Sequence, residues 1–184
     1  MIHEKELREM GFLGVGNNVL ISRRARIFRP ERIKLGSNIR IDDFCILSGN
    51  ITMENYIHMT AGAKIMCGSS KIVIRDFVGF GFQTVIVGEA DDFSGEYLCS
   101  TTLPERFRKV TSGCIEIGKY SIFGANCVVL PDVKIAEGCA FGAMSLINKN
   151  TEPWGMYAGV PCRRYKERKK DMIKLAQELV GRDC

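Results

Sequence analysis

The stretch IGKYSI FGANCV VLPDVK IAEGCA FGAMSL IN runs from Ile117 to Asn148 and repeats every six residues. The first position of each unit is apolar: Ile117, Phe123, Val129, Ile135, Phe141 and Ile147. The fifth position is small or β-branched: Ser121, Cys127, Val133, Cys139 and Ser145. A period of six fits neither an α-helix nor a simple hairpin sheet, whose faces recur at about 3.6 and 2 residues. It predicts very short parallel strands joined by tight corners and stacked into a solenoid.

The same frame continues through most of the upstream sequence. It reads LGSNIR IDDFCI LSGNIT MENYIH MTAGAK from Leu35, and after a slip of three residues it resumes at Ile74 as IRDFVG FGFQTV. A looser start is visible at Val15 as VGNNVL ISRRAR. The repeat therefore predicts a solenoid over most of the chain.

Two insertions interrupt the frame. CGSSKIV at Cys67–Val73 adds three residues, and a much longer segment runs from Val87 to Cys114. If coils begin at Met53 and Ile74, both insertions follow the third unit of a coil. Each coil then forms one layer of a three-sided prism, and both insertions lie at the same corner of it. Insertions in a regular solenoid mark loops on one face, which is often the binding face.

The repeat and the ending EPWGMYAGVPCRRYKER, Glu152–Arg168, resemble the hexapeptide-repeat acyltransferases, in their sugar and xenobiotic acetyltransferase branch. The resemblance covers roughly residues 15–164. It implies an all-β solenoid, a left-handed parallel β-helix, that forms a homotrimer. It also implies coenzyme A dependent transfer of an acetyl or other short acyl group to a sugar hydroxyl or amine, on a nucleotide-linked or surface-polysaccharide sugar. An antibiotic or xenobiotic acetyltransferase and a non-catalytic assembly subunit are the alternatives.

The sequence predicts one β-helix domain over residues 1–184. Residues 1–14 form an N-terminal cap, with a helix at Glu4–Met10 that ends at Gly11. Residues 15–90 and 115–150 form the coils, 91–114 the extruded loop, and 151–184 the closing segment. A helix is expected after Pro161, capping the last coil and ending at Gly181. Its apolar face is predicted to consist of Tyr165, Met172, Ala176, and Leu179 or Val180.

The candidate catalytic residues are His58, Asp91 and Asp92. His58 ends the unit MENYIH and is expected at a corner, where it either faces solvent or acts as general base. Related acetyltransferases commonly carry an Asn-His pair near the start of the long loop, where this chain has Ala90 before the two aspartates. We favour His58, because an ordinary imidazole titrates near neutral pH, whereas a loop carboxylate needs burial to do so. In a trimer, His58 and the loop of an adjacent subunit can line one cleft.

Substrate contacts are expected from the same loop. Glu96, with the two aspartates, is predicted to hold the amine or hydroxyls of a sugar acceptor beside Phe93 and Tyr97, or to be simply solvated.

The donor site is expected in the second half of the chain. Small residues leave a step on which a pantetheine arm can lie, or merely suit the repeat: Gly124, Ala125, Gly142 and Ala143. The resemblance implies that basic residues around the turn at Pro161 hold the phosphates of coenzyme A, rather than forming only a basic tail: Lys149, Arg164, Lys166 and Arg168. Trp154 and Tyr157 are expected to offer a flat surface for adenine.

Composition limits the remaining possibilities. A net charge of +5, with no aromatic residues between the arginines of ISRRARIFRPERIK, gives little support to nucleic-acid binding. We interpret that segment as a solvated coil or subunit contact rather than an anionic site. No run approaches the ~18 apolar residues of a membrane span, and the charged N-terminus predicts a cytoplasmic protein.

Metal and disulfide chemistry are not expected. None of the eight cysteines forms a CxxC pair, and two histidines cannot supply the three ligands of the zinc carbonic anhydrases built on this helix. Cys45, Cys127 and Cys139 occupy fifth positions and are predicted to be buried, reduced thiols.

Overall fold

The computed structural model describes residues 1–182, which fold into a three-sided solenoid with a short helix at each end of the chain. The helices are α1, Glu4–Glu9, and α2, Met172–Arg182. The strands are β1 Gly14–Val15, β2 Val19–Ile21, β3 Arg26–Phe28, β4 Ile33–Leu35, β5 Ile39–Ile41, β6 Ile46–Met53, β7 Ile57–Met59, β8 Lys64–Ile74, β9 Gly79–Phe80, β10 Val85–Val87, β11 Glu89–Asp91, β12 Val110–Ser112, β13 Ile115–Ile117, β14 Ile122–Phe123, β15 Val128–Val129, β16 Lys134–Ile135, β17 Ala140–Phe141, β18 Leu146–Ile147, β19 Gly155–Gly159 and β20 Cys162–Glu167.

The strands stack in parallel on three faces. Face A contains β1, β4, the second halves of β6 and β8, β13 and β16. Face B contains β2, β5, β7, β9, β14, β17 and β19. Face C contains β3, the first halves of β6 and β8, β10, β15 and β18. The chain visits the faces in the order A, B, C, so every coil returns through a C/A corner.

The register is the one that the repeat predicts. Residues at first positions lie inside the prism and are at most 4% exposed from Ile117 to Ile147. Inside face B, Phe123 stacks between Phe80 and Phe141, with ring centroids 5.2 and 5.0 Å apart. The fifth-position cysteines are buried as predicted, and burial raises the pKa of each thiol. Cys45, for example, donates its S–H to the carbonyl of Thr60 at 3.2 Å.

Both insertions leave the prism at the C/A corner. The first is a bulge in a continuous strand rather than a loop, because β8 runs from face C to face A and bends at Gly68, where φ is +61°. The second carries a stem at its base, in which β11 pairs antiparallel with β12. Ile74 and Ile117 still pair directly across coils, so the stack continues past the long insertion.

The predicted N-terminal helix is confirmed, since α1 ends before Gly11, whose φ is +75°. The C-terminal prediction is wrong in three respects. Residues 162–167 form β20, because the turn at Pro161 returns the chain along the free edge of β19. Tyr165 is therefore 61% exposed on a strand, and α2 begins only at Met172 and continues through Gly181. Finally, α2 lies beside face B rather than over the last coil.

No helix within residues 1–182 has the length and apolar character required to cross a membrane.

Candidate active site

His58 lies in the middle of β7 on the outer side of face B, so its predicted position at a corner is wrong. The strand alternates buried and exposed residues, and Ile57 and Met59 take the inward positions. His58 Nε2 lies 2.8 Å from Asp42 Oδ2, and Arg40 Nε donates to the other oxygen of that carboxylate at 2.7 Å. Partial burial pushes the pKa of Asp42 upward, but these hydrogen bonds outweigh it and hold the pKa below its ordinary value. Asp42 therefore stays ionised and orients the imidazole, as the acid does in a His–Asp pair.

A pocket of about 420 Å³ lies between face B and α2, and His58 contributes to its wall. Met172, Ala176 and Leu179 of α2 line the opposite wall, as expected for the apolar side of this helix. Tyr56, Phe77, Tyr120 and Ile122 complete a predominantly apolar lining. The imidazole thus projects into a cavity with few competing polar groups.

The loop carboxylates have different surroundings. Asp91 ends β11 and pairs with Val110. Asp92 accepts hydrogen bonds from Ser94 Oγ at 2.8 Å and from Gly95 N at 3.1 Å. The bond from Ser94 is the main reason that the pKa of Asp92 lies below its ordinary value. Asp92 is therefore engaged in its own turn and is poorly suited to accept a proton near pH 7.

The predicted substrate residues lie farther out on the same loop. Phe93 is 93% exposed, Glu96 is exposed, and Lys109 Nζ lies 5.6 Å above the ring of Tyr97. In one subunit these residues and His58 lie on different sides of the prism and do not form a single site.

The small residues predicted for the donor site lie at the B/C corner in consecutive coils. A Cβ atom on Gly124 would lie 2.5 Å from the backbone nitrogen of Ala143 in the next coil. Gly124 is therefore required for coil stacking. Gly142 has more space, since its nearest neighbour would be Ala158 Cβ at 3.3 Å. Ala125 is half-buried and Ala143 is exposed.

The basic residues of the closing segment divide into two groups. Arg164 and Lys166 are exposed on β20, Pro161 forms its entry turn, and Lys149 is exposed after β18. Arg168 instead donates from Nη1 to the carbonyls of Tyr120 at 2.6 Å and Gly138 at 3.2 Å. Its guanidinium therefore holds the closing segment against the coils, and burial lowers the pKa of Arg168.

Trp154 and Tyr157 do not form an open surface for adenine, because each is only 7% exposed. Trp154 ends an aromatic row outside the A/B corner, with its ring 6.1 Å from that of Tyr120. Tyr157 stacks on Phe141 inside the prism, and its hydroxyl accepts the backbone N–H of Glu152 at 2.8 Å.

The sequence did not reveal a groove at the C/A corner, which we call the C/A groove. It is lined by Phe28, Arg29, Arg32, Ser48, Gly49, Gly68, Ser69 and Glu89 and has a volume of about 590 Å³. Its signal in the sequence is the spacing from Ile27 to Leu35, which is eight residues instead of six. A 3₁₀ turn at Pro30–Arg32 accommodates the extra residues.

Within residues 1–182, no group of three or more His, Cys, Asp or Glu side chains is placed to hold a metal ion.

Comparison with known proteins identifies the family. The chain is 36% identical over 177 residues to the dTDP-4-amino-4,6-dideoxy-D-glucose acyltransferase of Escherichia coli, covering 95% of this chain and 92% of the relative. The crystal structure of AntD, an N-acyltransferase from Bacillus cereus, in complex with dTDP and 3-hydroxybutyryl-CoA matches with a TM-score of 0.96 at 40% identity, covering 98% of this chain and 96% of AntD. The chain belongs to the hexapeptide-repeat sugar acyltransferases. No protein-family model matches it.

This sugar acyltransferase uses coenzyme A thioesters as co-substrates and has the predicted left-handed parallel β-helix. A galactoside acetyltransferase in complex with coenzyme A shares the fold, with a TM-score of 0.57 at 23% identity over 93% of this chain and 72% of the other.

Proposed function

We propose that this acyltransferase transfers a short acyl group from coenzyme A to the amine of a dTDP-linked amino-dideoxy sugar. The observation that supports the proposal is the identity of 36–40% along almost the whole chain to proteins named for that chemistry. The relatives also favour nitrogen over oxygen as the acceptor atom, because AntD is an N-acyltransferase and the E. coli acceptor is an amino sugar.

The protein acts as a homotrimer in this proposal. Large apolar side chains are exposed along the B/C corner in separate coils: Phe44 (63%), Phe82 (61%) and Met144 (69%). The outer side of face C beside that corner is largely apolar as well: Val85, Val128 and Leu146 are half-buried, and Lys64 is a charged residue in the same row. Exposed apolar side chains that recur along one corner in this way are typical of a protein interface. Three prisms that meet along their B/C corners would cover them around a three-fold axis.

This trimer would create wedge-shaped clefts. With the B/C corners at the axis, face B of one subunit faces face C of the next. His58 and its pocket then lie opposite the neighbour's face C, at whose far edge the C/A groove and the long loop project. One cleft thereby gains a histidine from one subunit and loop carboxylates from another.

His58 is the general base in the proposed mechanism. The acceptor amine must lose a proton as it attacks the thioester carbonyl, and Asp42 holds the imidazole in a fixed orientation at 2.8 Å. Asp91 binds the amine or a neighbouring hydroxyl, whereas Asp92 preserves the shape of the loop. The thioester is already activated, so the protein needs no covalent nucleophile, and backbone N–H groups can stabilise the tetrahedral oxyanion. Collapse of this intermediate breaks the C–S bond, and the thiolate of coenzyme A leaves and takes up the proton removed from the amine.

The proposed acceptor is tested by thiol release from acetyl-CoA and 3-hydroxybutyryl-CoA. The acceptors are a dTDP-linked 4-amino-4,6-dideoxy sugar and the matched sugar with a 4-hydroxyl. Turnover with the amine alone supports the proposal; turnover with neither sugar, or with the hydroxyl sugar alone, contradicts it.

The base is tested with His58→Asn, using His3→Asn near the N-terminus as matched control. We expect kcat to fall roughly 10²- to 10⁴-fold for His58→Asn, with coenzyme A affinity retained and the control unchanged. A fully active His58→Asn enzyme, together with an inactive Asp91→Asn or Asp92→Asn enzyme, would show that a loop carboxylate is the general base.

The same variants test the shared cleft. If His58 and Asp91 of one site come from different subunits, random mixing of refolded His58→Asn and Asp91→Asn chains restores both wild-type side chains in about a quarter of the sites. Recovery of activity toward that level supports the trimer, and a mixture no more active than its components contradicts it.

We also propose that the enzyme works in the cytoplasm. Its seven described cysteines are all unpaired, as is usual in a reducing compartment.

A further inference from the structure

The C/A groove lies at a corner where, of four successive coils, the first, third and fourth carry residues beyond the six-residue repeat and the second bends at Gly49. The 3₁₀ turn at Pro30–Arg32, the bends at Gly49 and Gly68, and the start of β11 at Glu89 lie one above another. Such a stack of deviations makes a concave surface in an otherwise flat solenoid, and concave surfaces of this size accommodate small molecules.

The groove contains two arginine side chains that have no carboxylate partner in the part of the chain that the structure describes. Within the described residues, the guanidinium groups of Arg29 and Arg32 form neither an ion pair nor a hydrogen bond. By contrast, Arg23, Arg40 and Arg75 each contact a carboxylate oxygen within 3.2 Å. An arginine fork left without a carboxylate is suited to bidentate contacts with phosphate oxygens.

The remaining walls suit a nucleotide. Ser48 and Ser69 provide hydroxyl groups along the groove. Phe28 is 53% exposed at the rim and offers an aromatic face for a base.

The charges along the groove also favour one orientation of a bound ligand. Glu89 is its one acidic lining residue, and its carboxylate accepts the backbone N–H of Ser69. From Glu89 the chain continues along β11 to Asp91 at the base of the long loop. A ligand with its phosphates at the arginines can therefore extend its uncharged or cationic end toward the loop.

We infer that the C/A groove binds the nucleoside diphosphate part of the acceptor, with the diphosphate at Arg29 and Arg32 and the base against Phe28. This inference rests on the proposed function, which supplies a dTDP-linked acceptor. The sugar then points along β11 toward the cleft that contains the neighbour's His58. Coenzyme A also carries a diphosphate, so the test must distinguish the two ligands.

Isothermal titration with dTDP and, separately, with coenzyme A provides that distinction. The variants are Arg29→Ala and Arg32→Ala, and Arg8→Ala on α1 removes the same charge far from the groove. We expect each groove variant to weaken dTDP binding about 10- to 100-fold, with coenzyme A binding within about twofold of wild type and Arg8→Ala unchanged for both ligands. Thermal unfolding of each variant confirms that its fold is intact.

The results that would overturn the groove assignment can be distinguished from one another. Unchanged dTDP affinity in both groove variants overturns the assignment while leaving the proposed function intact. Selective loss of coenzyme A binding overturns it in favour of a donor site. Failure of the wild-type protein to bind dTDP overturns both the assignment and the nucleotide-linked acceptor.

Discussion

Replacing Gly124 with alanine should destabilise the solenoid far more than the same change at Gly142, one coil later. The added Cβ at Gly124 would lie 2.5 Å from Ala143 N and 2.9 Å from Ala143 Cα. Ordinary contacts begin near 3.5 Å, so two coils must separate locally by about 1 Å. Neither atom can rotate away, because both belong to the backbone of a strand-flanking corner. Overpacking of this kind costs about 1–3 kcal/mol, and we expect the upper part of that range.

Gly142→Ala is the matched control. Its Cβ would meet Ala158 Cβ at 3.3 Å, and Ala158 is exposed in the terminal hairpin and has room to move. The loss of unfolded-state entropy on changing glycine to alanine, about 0.4–1 kcal/mol, can offset that contact. For a chain of this size, 1 kcal/mol corresponds to about 2–4 °C, so Tm should fall by roughly 5–10 °C for Gly124→Ala and by little for Gly142→Ala.

Thermal unfolding at one fixed protomer concentration measures the difference, since oligomerisation makes Tm depend on concentration. Equal Tm values for the two variants would refute the coil-stacking argument. A Gly124→Ala protein with wild-type Tm and weakened acyl-CoA binding would show that this glycine instead admits the pantetheine arm.

Two further predictions concern the labelling of cysteine thiols and the dependence of stability on pH. A bulky thiol reagent should label exposed Cys99 and Cys114 in the native protein, but not the buried thiols of Cys45 and Cys67. Burial raises the pKa of the Cys45 thiol, and it raises the pKa of Cys67 to about 12. Rapid labelling of Cys45 in the native protein, detected by peptide mass spectrometry, would mean that the register is wrong. Partial burial pushes the pKa of Asp76 upward, but Lys119 at 2.8 Å and Asn55 outweigh it, so the folded pKa lies below the unfolded value of about 3.9. Its stabilising contribution is complete above that pH and is lost as pH falls through the folded pKa. The free energy of unfolding of Asp76→Asn should therefore be about 1–3 kcal/mol lower than that of the wild type at pH 7, and this difference should narrow below about pH 4. Chemical denaturation curves from pH 3 to 7 that give a constant difference would contradict this.

The six-residue repeat predicts the interior well, because it encodes the alternation of inward and outward residues in strands such as β5 and β7. Ile74 and Ile117 both occupy first positions of the repeat, and they pair directly across the long insertion. Positions outside the core were less predictable. The unit MENYIH ends at His58 and therefore predicts a corner there, although strand β7 extends on both sides of this residue.

The closing segment shows a second reason for failure. Basic residues after Pro161 suit a helix by their intrinsic preferences, yet the free edge of β19 offers hydrogen bonds that a strand can use at once. Tertiary context also explains Trp154, whose ring appeared available for adenine but is buried against Gly138. The C/A groove depends on residues from four coils, and only their stacking reveals that Arg29 and Arg32 face serines of later coils.

The aromatic row outside the A/B corner has a spectroscopic consequence. Tyr56, Phe77, Tyr120 and Trp154 follow one another from coil to coil, and Trp154 is the one tryptophan of the chain. Its emission therefore reports the environment of the final coil alone, whereas circular dichroism averages over all strands. In a solenoid, where each coil contacts only its neighbours, these two signals need not change together. The fluorescence of this protein is thus an optical probe of fraying at its C-terminal end.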